Sequence, residues 1–157
     1  MSVLSPEVKA LLKDPDVFKV LATVDDKGHP HVVFKNHKID LLDDGTIVYA
    51  EVIESSHTNS NLIHSLWFDK HVAITVKGRD GTSYQIKGKV ERYDFVSNLF
   101  RESYRKLRAR KGPDSELSGL WYIRPESVKD ETPSVRRAEE DTKHPFFRHL
   151  DRELVAA

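Results

Sequence analysis

The sequence predicts a mainly β protein with flanking helices, in which an antiparallel sheet closes into a small barrel. Three observations lead to this fold class: six segments with strand pattern, tight turn signals between them, and no repeating alternation of strand and helix. The length of 157 residues fits one domain. Closure into a barrel is expected because exposed sheet edges promote association between chains.

The first third of the chain predicts a short helix followed by a meander of three strands. Ser5-Pro6-Glu7 is typical of a helix start, because a hydroxyl cap is followed by proline and an acid in the first turn. Asp14-Pro15 ends this helix. Strands are then predicted over residues 17–24, 30–42 and 46–52, separated by the turn signals Asp25-Asp26-Lys27-Gly28 and Asp43-Asp44-Gly45.

The rest of the barrel is predicted to contain two helices and three more strands. A helix is expected over residues 56–68, where Leu62, Leu66 and Trp67 recur at helical spacing. Two strands follow on either side of the turn Arg79-Asp80-Gly81. An amphipathic helix over 95–111 and a last strand near 119–129 complete the predicted elements.

The C-terminal segment differs in composition from the barrel. Residues 130–144 are charged and barely apolar, which predicts a surface strap, whereas Phe146, Phe147, Leu150 and Leu154 form a short apolar stripe. Such a stripe needs a hydrophobic surface, either on its own barrel or on a partner subunit. We therefore expect a barrel domain over residues 1–130 and a strap with a C-terminal helix over 131–157.

Composition excludes several classes of protein. The absence of cysteine excludes disulfide scaffolds, thiolate metal sites and a thiol nucleophile. The balance of 25 basic and 25 acidic residues argues against a general nucleic-acid binder. Short apolar runs and a charged N-terminal segment predict neither a membrane span nor a signal peptide, so we expect a cytoplasmic protein.

No set of catalytic side chains stands out. The eight histidines lack the spacing of three or four residues that would clamp a metal ion on a helix, and there is no G-x-S-x-G elbow. Neither phosphate-binding glycine loop occurs. If the protein is an enzyme, its chemistry is therefore expected to come from a cofactor.

Two polar segments are candidates for binding. The segment Ser55–Leu62 opens a helix directly after a strand, where unpaired amides and the helix dipole favour an anion such as phosphate. Simple N-capping is the alternative explanation. The second segment is a predicted strand, in which alternation places Phe34, Asn36 and Lys38 on one face and Val33, Lys35 and His37 on the other. The polar side chains of this strand face either a planar ligand or water.

The order of these motifs resembles that of the pyridoxamine-phosphate-oxidase-like FMN-binding split-barrel family. The resemblance covers residues 15–129 and includes D-x-x-G-x-P, D-D-G-T-I-V-Y, S-H-T-N-S-N-L, H-V-A-I-T-V, a long strand with a kink at Gly88, and Y-I-R-P-E-S-V. It implies a six-stranded antiparallel split barrel that forms a homodimer, with FMN held at the subunit interface.

The resemblance also implies roles for individual residues. Phe34, Lys35 and Asn36 match positions that line the flavin ring, and the latter two would stabilise negative charge on reduced flavin. The polar helix start matches the family's phosphate contacts, with His57 where a more basic residue is usual. We therefore expect cofactor contacts from Ser56, His57, Thr58 and Asn61. Trp121 is an aromatic candidate for the ring, with burial in the core as its equal alternative.

Departures from the family narrow the expected activity. The R-x-V-x-L-K strand, the basic S-R-K helix start and the C-terminal Arg-x-His of the true oxidases are missing, so vitamin B6 oxidation is not implied. We expect an FMN-dependent oxidoreductase or electron carrier with a small-molecule or protein electron donor and acceptor. One alternative is a non-catalytic module for flavin, deazaflavin or haem. A nucleic-acid-binding barrel that uses the basic face of residues 101–111 is less favoured, because a solvated helix face explains these charges more simply.

Overall fold

Seven antiparallel strands and four helices make up residues 3–145, the part of the chain that our computed structural model describes. The strands form one curled sheet in the order β2-β1-β5-β6-β7-β4-β3. In chain order the elements are α1 (Pro6–Lys13), β1 (Phe18–Val24), β2 (Pro30–Phe34), β3 (Ile39–Leu41), β4 (Ile47–Glu51), α2 (His57–Trp67), β5 (His71–Lys77), β6 (Ser83–Asp94), α3 (Asn98–Lys111), β7 (Gly119–Asp130) and α4 (Pro133–Lys143).

The predicted helix starts are confirmed by their caps. The Ser5 hydroxyl accepts a hydrogen bond from Val8 N and caps α1. Ser56 caps α2 in the same way, because its hydroxyl accepts from Asn59 N. The third helix begins later than the predicted residue 95, since Ser97 is its cap.

The prediction of one long second strand over 30–42 is wrong, and so is the count of six strands. The chain turns at residues 36–38, and the two pieces, β2 and β3, lie at opposite edges of the sheet. Lys35 N donates to Lys19 O on β1 at 2.8 Å, and Ala50 N on β4 donates to Lys38 O at 2.7 Å. The segment that joins the two edges therefore closes the sheet as a split barrel.

The predicted kink at Gly88 is confirmed. The register between β6 and β7 shifts between Lys87 and Gly88. A Cβ atom built on Gly88 would lie 2.4 Å from the carbonyl oxygen of Arg124. Only glycine allows the two backbones to approach this closely.

Two apolar clusters lie on opposite faces of the sheet. The larger one fills the barrel and contains Leu21, Ile74, Ile86 and Trp121. The smaller one lies on the outer face of β4 and β7, where Val48, Leu120 and Tyr122 pack with Leu117 and with the apolar side chains of α3. This second cluster holds α3 against β4 and so shapes the site described below.

The charged segment after the barrel, predicted as a surface strap, is helical over Pro133–Lys143. None of its residues is buried, and Arg136 connects it to β7 through the carbonyl oxygen of Asp130. The predicted apolar stripe of Phe146, Phe147, Leu150 and Leu154 lies outside the described residues. Within residues 3–145, no helix combines the length and apolar character needed to cross a membrane.

Candidate functional site

An open groove of about 1190 Å³ lies between the segment that joins the sheet edges and α3. One wall is formed by residues 34–38 and Asp40, and the opposite wall by one face of α3. The floor consists of Val48, Ala50 and Val52, because alternation along β4 turns these side chains away from the barrel core. The three predicted residues Phe34, Lys35 and Asn36 all line this groove.

The rim of the groove is cationic. Lys35 and Lys38 stand on one wall, and Lys106, Arg110 and Lys111 stand on the other. Asp40 and Glu116 are the acids of the lining. None of the five cations forms a salt bridge with another residue of the described chain. An apolar floor with uncompensated positive charge favours a ligand that combines an apolar body with anionic groups.

Phe34 and Lys35 give the first wall its character. Phe34 is 74% exposed, so its ring is free to contact a ligand. The Lys35 ammonium lies 5.0 Å from the centre of the Tyr49 ring. Burial lowers the pKa of Lys35, and the nearby carboxylate of Glu51 opposes this shift. The wall thus presents an aromatic ring beside a partly desolvated cation.

Asn36 is held by β1 at the strand break. Its Oδ1 accepts a hydrogen bond from Lys19 N at 3.0 Å, and its carbonyl oxygen accepts one from Lys19 Nζ at 3.2 Å. Burial of Lys19 lowers the pKa of this lysine. The Nδ2 of Asn36 has no hydrogen bond to a described residue. It is therefore available as a donor to a ligand in the groove.

The loop before α2 already binds an anion, the carboxylate of Glu51. This side chain is 1% exposed. It accepts hydrogen bonds from the hydroxyls of Tyr49 and Ser56, at 2.7 and 2.8 Å, and from the amides of Val52 and Ile53, at 2.9 and 3.0 Å. The sequence contained a signal for this cluster, because Ile47, Tyr49 and Glu51 share one face of a strand and the glutamate therefore points inward.

The polar start of α2 is mostly turned inward. Thr58 is 2% and Asn61 6% exposed. The Thr58 hydroxyl lies 3.3 Å from Nε2 of His31, and Asn61 Nδ2 donates to Thr23 Oγ1 at 3.0 Å. Ser56 is engaged as cap and as donor to Glu51. His57 alone of the four predicted residues is exposed, and none of the four lines the groove.

Trp121 belongs to the barrel core, which is the alternative to a ligand contact that the sequence left open. It is 1% exposed, and Nε1 donates to Asn59 Oδ1 at 2.8 Å. The inward alternation of β7 explains this position, because Trp121 and Ile123 point into the barrel. Within residues 3–145, no three histidine or carboxylate side chains cluster closely enough to hold a metal ion.

The outer face of β1 and β2 is apolar and open. Phe18, Val32 and Phe34 are exposed large side chains on this face, and the rings of the two phenylalanines lie 6.4 Å apart at an angle of 62°. The face continues from the groove, since Phe34 belongs to both. A contiguous apolar patch of this kind marks an interaction surface.

Fold and groove together define a split-barrel protein with an open cleft lined by apolar and cationic residues. Comparison with family models then identifies the family: the model described as pyridoxamine 5'-phosphate oxidase matches residues 4–131, and the chain belongs to this family. Comparison with curated proteins finds no match.

Three solved structures with the same fold are named for three different ligands. An F420 reductase has a TM-score of 0.59 at 21% identity, with 80% of this chain and 98% of that chain covered. An FMN-binding protein from Syntrophomonas wolfei subsp. wolfei has a TM-score of 0.59 at 13% identity, covering 72% and 76%. HutZ, the haem storage protein from Vibrio cholerae, has a TM-score of 0.54 at 16% identity, covering 83% and 95%. These likenesses establish the fold.

Proposed function

We propose that this protein binds FMN in the groove and acts as a flavin-dependent oxidoreductase or electron carrier. One observation carries the proposal: the exposed Phe34, together with Lys35 and Asn36, lines a groove that has an apolar floor and a cationic rim. A planar ring system with a polar edge and a phosphate needs these groups. The family membership and the FMN-binding structural relative support the same assignment.

The proposal moves the phosphate away from the start of α2. At that position the buried Glu51 carboxylate holds the loop amides, and a second anion beside it would be repelled. Lys38 lines the groove and forms no salt bridge with a described residue. We therefore assign the phosphate to the cationic rim on the wall of Lys35 and Lys38, with Ser56, Thr58 and Asn61 as structural supports of the neighbouring barrel wall.

Bound FMN would supply hydride or electron transfer to this site. The residues of the chain would orient and tune it. Lys35, whose pKa is lowered by burial, would stabilise negative charge on a bound flavin. The floor of Val48, Ala50 and Val52 would shield the ligand from water.

The proposed assembly is a homodimer through the outer face of β1 and β2. The apolar side chains Phe18, Val32 and Phe34 lie on this face, and Phe34 also lines the groove. Dimerisation would bury the patch and cover one side of the ligand site. Sedimentation analysis of the wild-type chain and of Val32→Asp tests this assembly, since a buried charge without a partner should dissociate the dimer.

Spectroscopy and titration of the purified protein test the assignment of the cofactor. We expect a flavin spectrum and release of FMN by acid. Phe34→Ala and Lys35→Met should each raise the Kd for FMN by roughly tenfold, equivalent to about 1.4 kcal/mol. Phe95→Ala and Lys77→Met are matched controls, because both side chains are exposed and lie outside the groove.

The same experiment separates the alternatives. Release of haem or of a deazaflavin would replace FMN as the ligand while leaving the groove as its site. Equal affinity of the Phe34 and Lys35 variants and of their controls would show that the ligand binds elsewhere. Tight binding of FMN without reduction by any nicotinamide donor would favour a carrier or sensor over an enzyme.

A further inference from the structure

The wall of the groove formed by α3 carries an arrangement of cations that the FMN assignment leaves unused. We propose that this wall is a second anion site, which takes a ligand with a nucleoside diphosphate group. The inference rests on the proposed function in one respect, because it assumes that the flavin binds at the wall of Phe34, Lys35 and Lys38. The second ligand would then lie beside the flavin, where a phosphorylated electron donor or acceptor is needed.

Helical spacing places the cations of this wall in one stripe. Ser103 lines the groove, and so do Lys106, Leu107, Arg110 and Lys111, which lie three, four, seven and eight residues after it. Leu107 packs on the cluster of Val48 and Leu120 and so fixes the orientation of the helix. The stripe therefore presents two cations one turn apart and a third beside them.

These cations lack internal compensation. Lys106, Arg110 and Lys111 form no salt bridge with a residue of the described chain. Glu116 is the acid on this side of the groove. Arg108, which does not line the groove, is held differently: its guanidinium lies 4.9 Å from the centre of the Tyr104 ring. Three neighbouring positive charges favour an anion with more than one negative charge, such as a diphosphate.

The dimensions of the groove are compatible with a second occupant. Its volume of about 1190 Å³ exceeds the range of roughly 300–1000 Å³ that is usual for a pocket with one small ligand. The apolar floor offers contact area to a base or another planar group. Phe34, on the opposite wall, is the aromatic residue among the described lining. Because no aromatic residue of α3 lines the groove, the stripe suits a compact nucleotide better than a nucleic-acid strand.

Calorimetric titration of the FMN-loaded protein with ADP, pyrophosphate and adenosine tests the site. We expect ADP and pyrophosphate to bind and adenosine to fail. The double variant K106Q/R110Q should raise the Kd for ADP by roughly tenfold or more. The double variant R101Q/R105Q is a matched control, because it removes the same charge at the same spacing from the same helix outside the groove. It should change the Kd by less than about twofold.

The two proposals fail separately in this design. Loss of FMN affinity in K106Q/R110Q, with no ADP binding to the wild type, would show that the α3 wall holds the flavin phosphate and would overturn the second site. Equal weakening of ADP binding by both double variants would also overturn the second site, because a general electrostatic attraction to α3 would explain both results. Binding of a single-stranded oligonucleotide that depends on Arg101 and Arg105 and displaces ADP would favour nucleic acid instead. If FMN does not bind but ADP shows the expected pattern in the FMN-free protein, the proposed function fails and the second site stands.

Discussion

Two polar regions of this molecule look alike in sequence and differ completely in structure. The start of α2 is dense in hydroxyl, amide and imidazole groups, yet Ser56, Thr58 and Asn61 are engaged by other side chains of the barrel. The groove has fewer polar groups, and they come from distant parts of the chain. Its cations form no salt bridge with a residue of the described chain.

Under the proposed function, the density of polar residues is a poor guide to a binding site. What matters is whether a polar group finds its partner inside the fold. Near the start of α2, the buried carboxylate of Glu51 already accepts hydrogen bonds from the amides of Val52 and Ile53. In the groove, the floor is apolar, and Lys38, Lys106 and Arg110 form no salt bridge with a residue of the described chain.

The largest effect is expected from Glu51→Ala. This change leaves the hydroxyls of Tyr49 and Ser56 and the amides of Val52 and Ile53 without their acceptor inside the barrel wall. We expect the free energy of unfolding to fall by about 3 kcal/mol, measured by denaturant titration. If stability is unchanged and phosphate binds more tightly, the region is a ligand site that Glu51 merely blocks.

The contribution of Glu51 should also depend on pH. Burial alone would raise its pKa, but hydrogen bonds from Ile53 N, Tyr49 and Ser56 outweigh burial and hold the pKa below its ordinary value of 4.5. Because the folded pKa lies below the unfolded one, the ionised carboxylate stabilises the fold above the unfolded pKa. This contribution is lost as the pH falls through the folded pKa. The stability difference between wild type and Glu51→Gln should therefore shrink on acidification, and a difference that grows would contradict this.

A smaller effect is expected from Asn61→Ala. The change removes the hydrogen bond to Thr23 and leaves a small buried cavity, at a cost of about 2 kcal/mol in unfolding free energy. The Kd for FMN of the folded protein should not change. Ser60→Ala is the control, because Ser60 is exposed in the same helix turn and should alter stability by less than about 0.5 kcal/mol. Weaker FMN binding at unchanged stability would return the phosphate to this helix.

Local sequence signals predicted most of the helices and strands. The break between β2 and β3 was not predicted, because it depends on how distant parts of the chain close the sheet. Helix caps and turns act on neighbouring residues, as at Ser5, at Ser56 and at the glycine turns, so the sequence alone predicts them. The break at residues 36–38 contains neither glycine nor proline. It exists because Lys35 pairs with one edge of the sheet and Lys38 with the other, an arrangement that only the folded sheet specifies.

The residues of the proposed groove site were likewise predicted only in part. Phe34, Lys35 and Asn36 were predicted as ligand contacts, and they line the groove of the proposed site. Strand alternation predicted Lys35 on the opposite face, whereas the turn brings all of residues 34–38 to the groove. The wall formed by α3 was missed as part of the site, because only packing of Leu107 against β4 brings Lys106 and Arg110 over the floor. Sequence pattern shows that a helix face is basic and does not show what it faces.

The smallest effect is expected at His57, the exposed member of the α2 start. Its ring lies 5.9 Å from that of His31, and it forms no hydrogen bond with a described residue. His57→Arg should therefore change the unfolding free energy by less than about 0.5 kcal/mol and leave the Kd for FMN within about threefold. If the helix start held the phosphate, the added permanent charge would tighten FMN binding by roughly tenfold, and the gain would disappear at high salt. Fluorescence titration of FMN at low and high salt distinguishes the two outcomes. A salt-sensitive gain in FMN affinity would assign the phosphate to the start of α2 rather than to the groove.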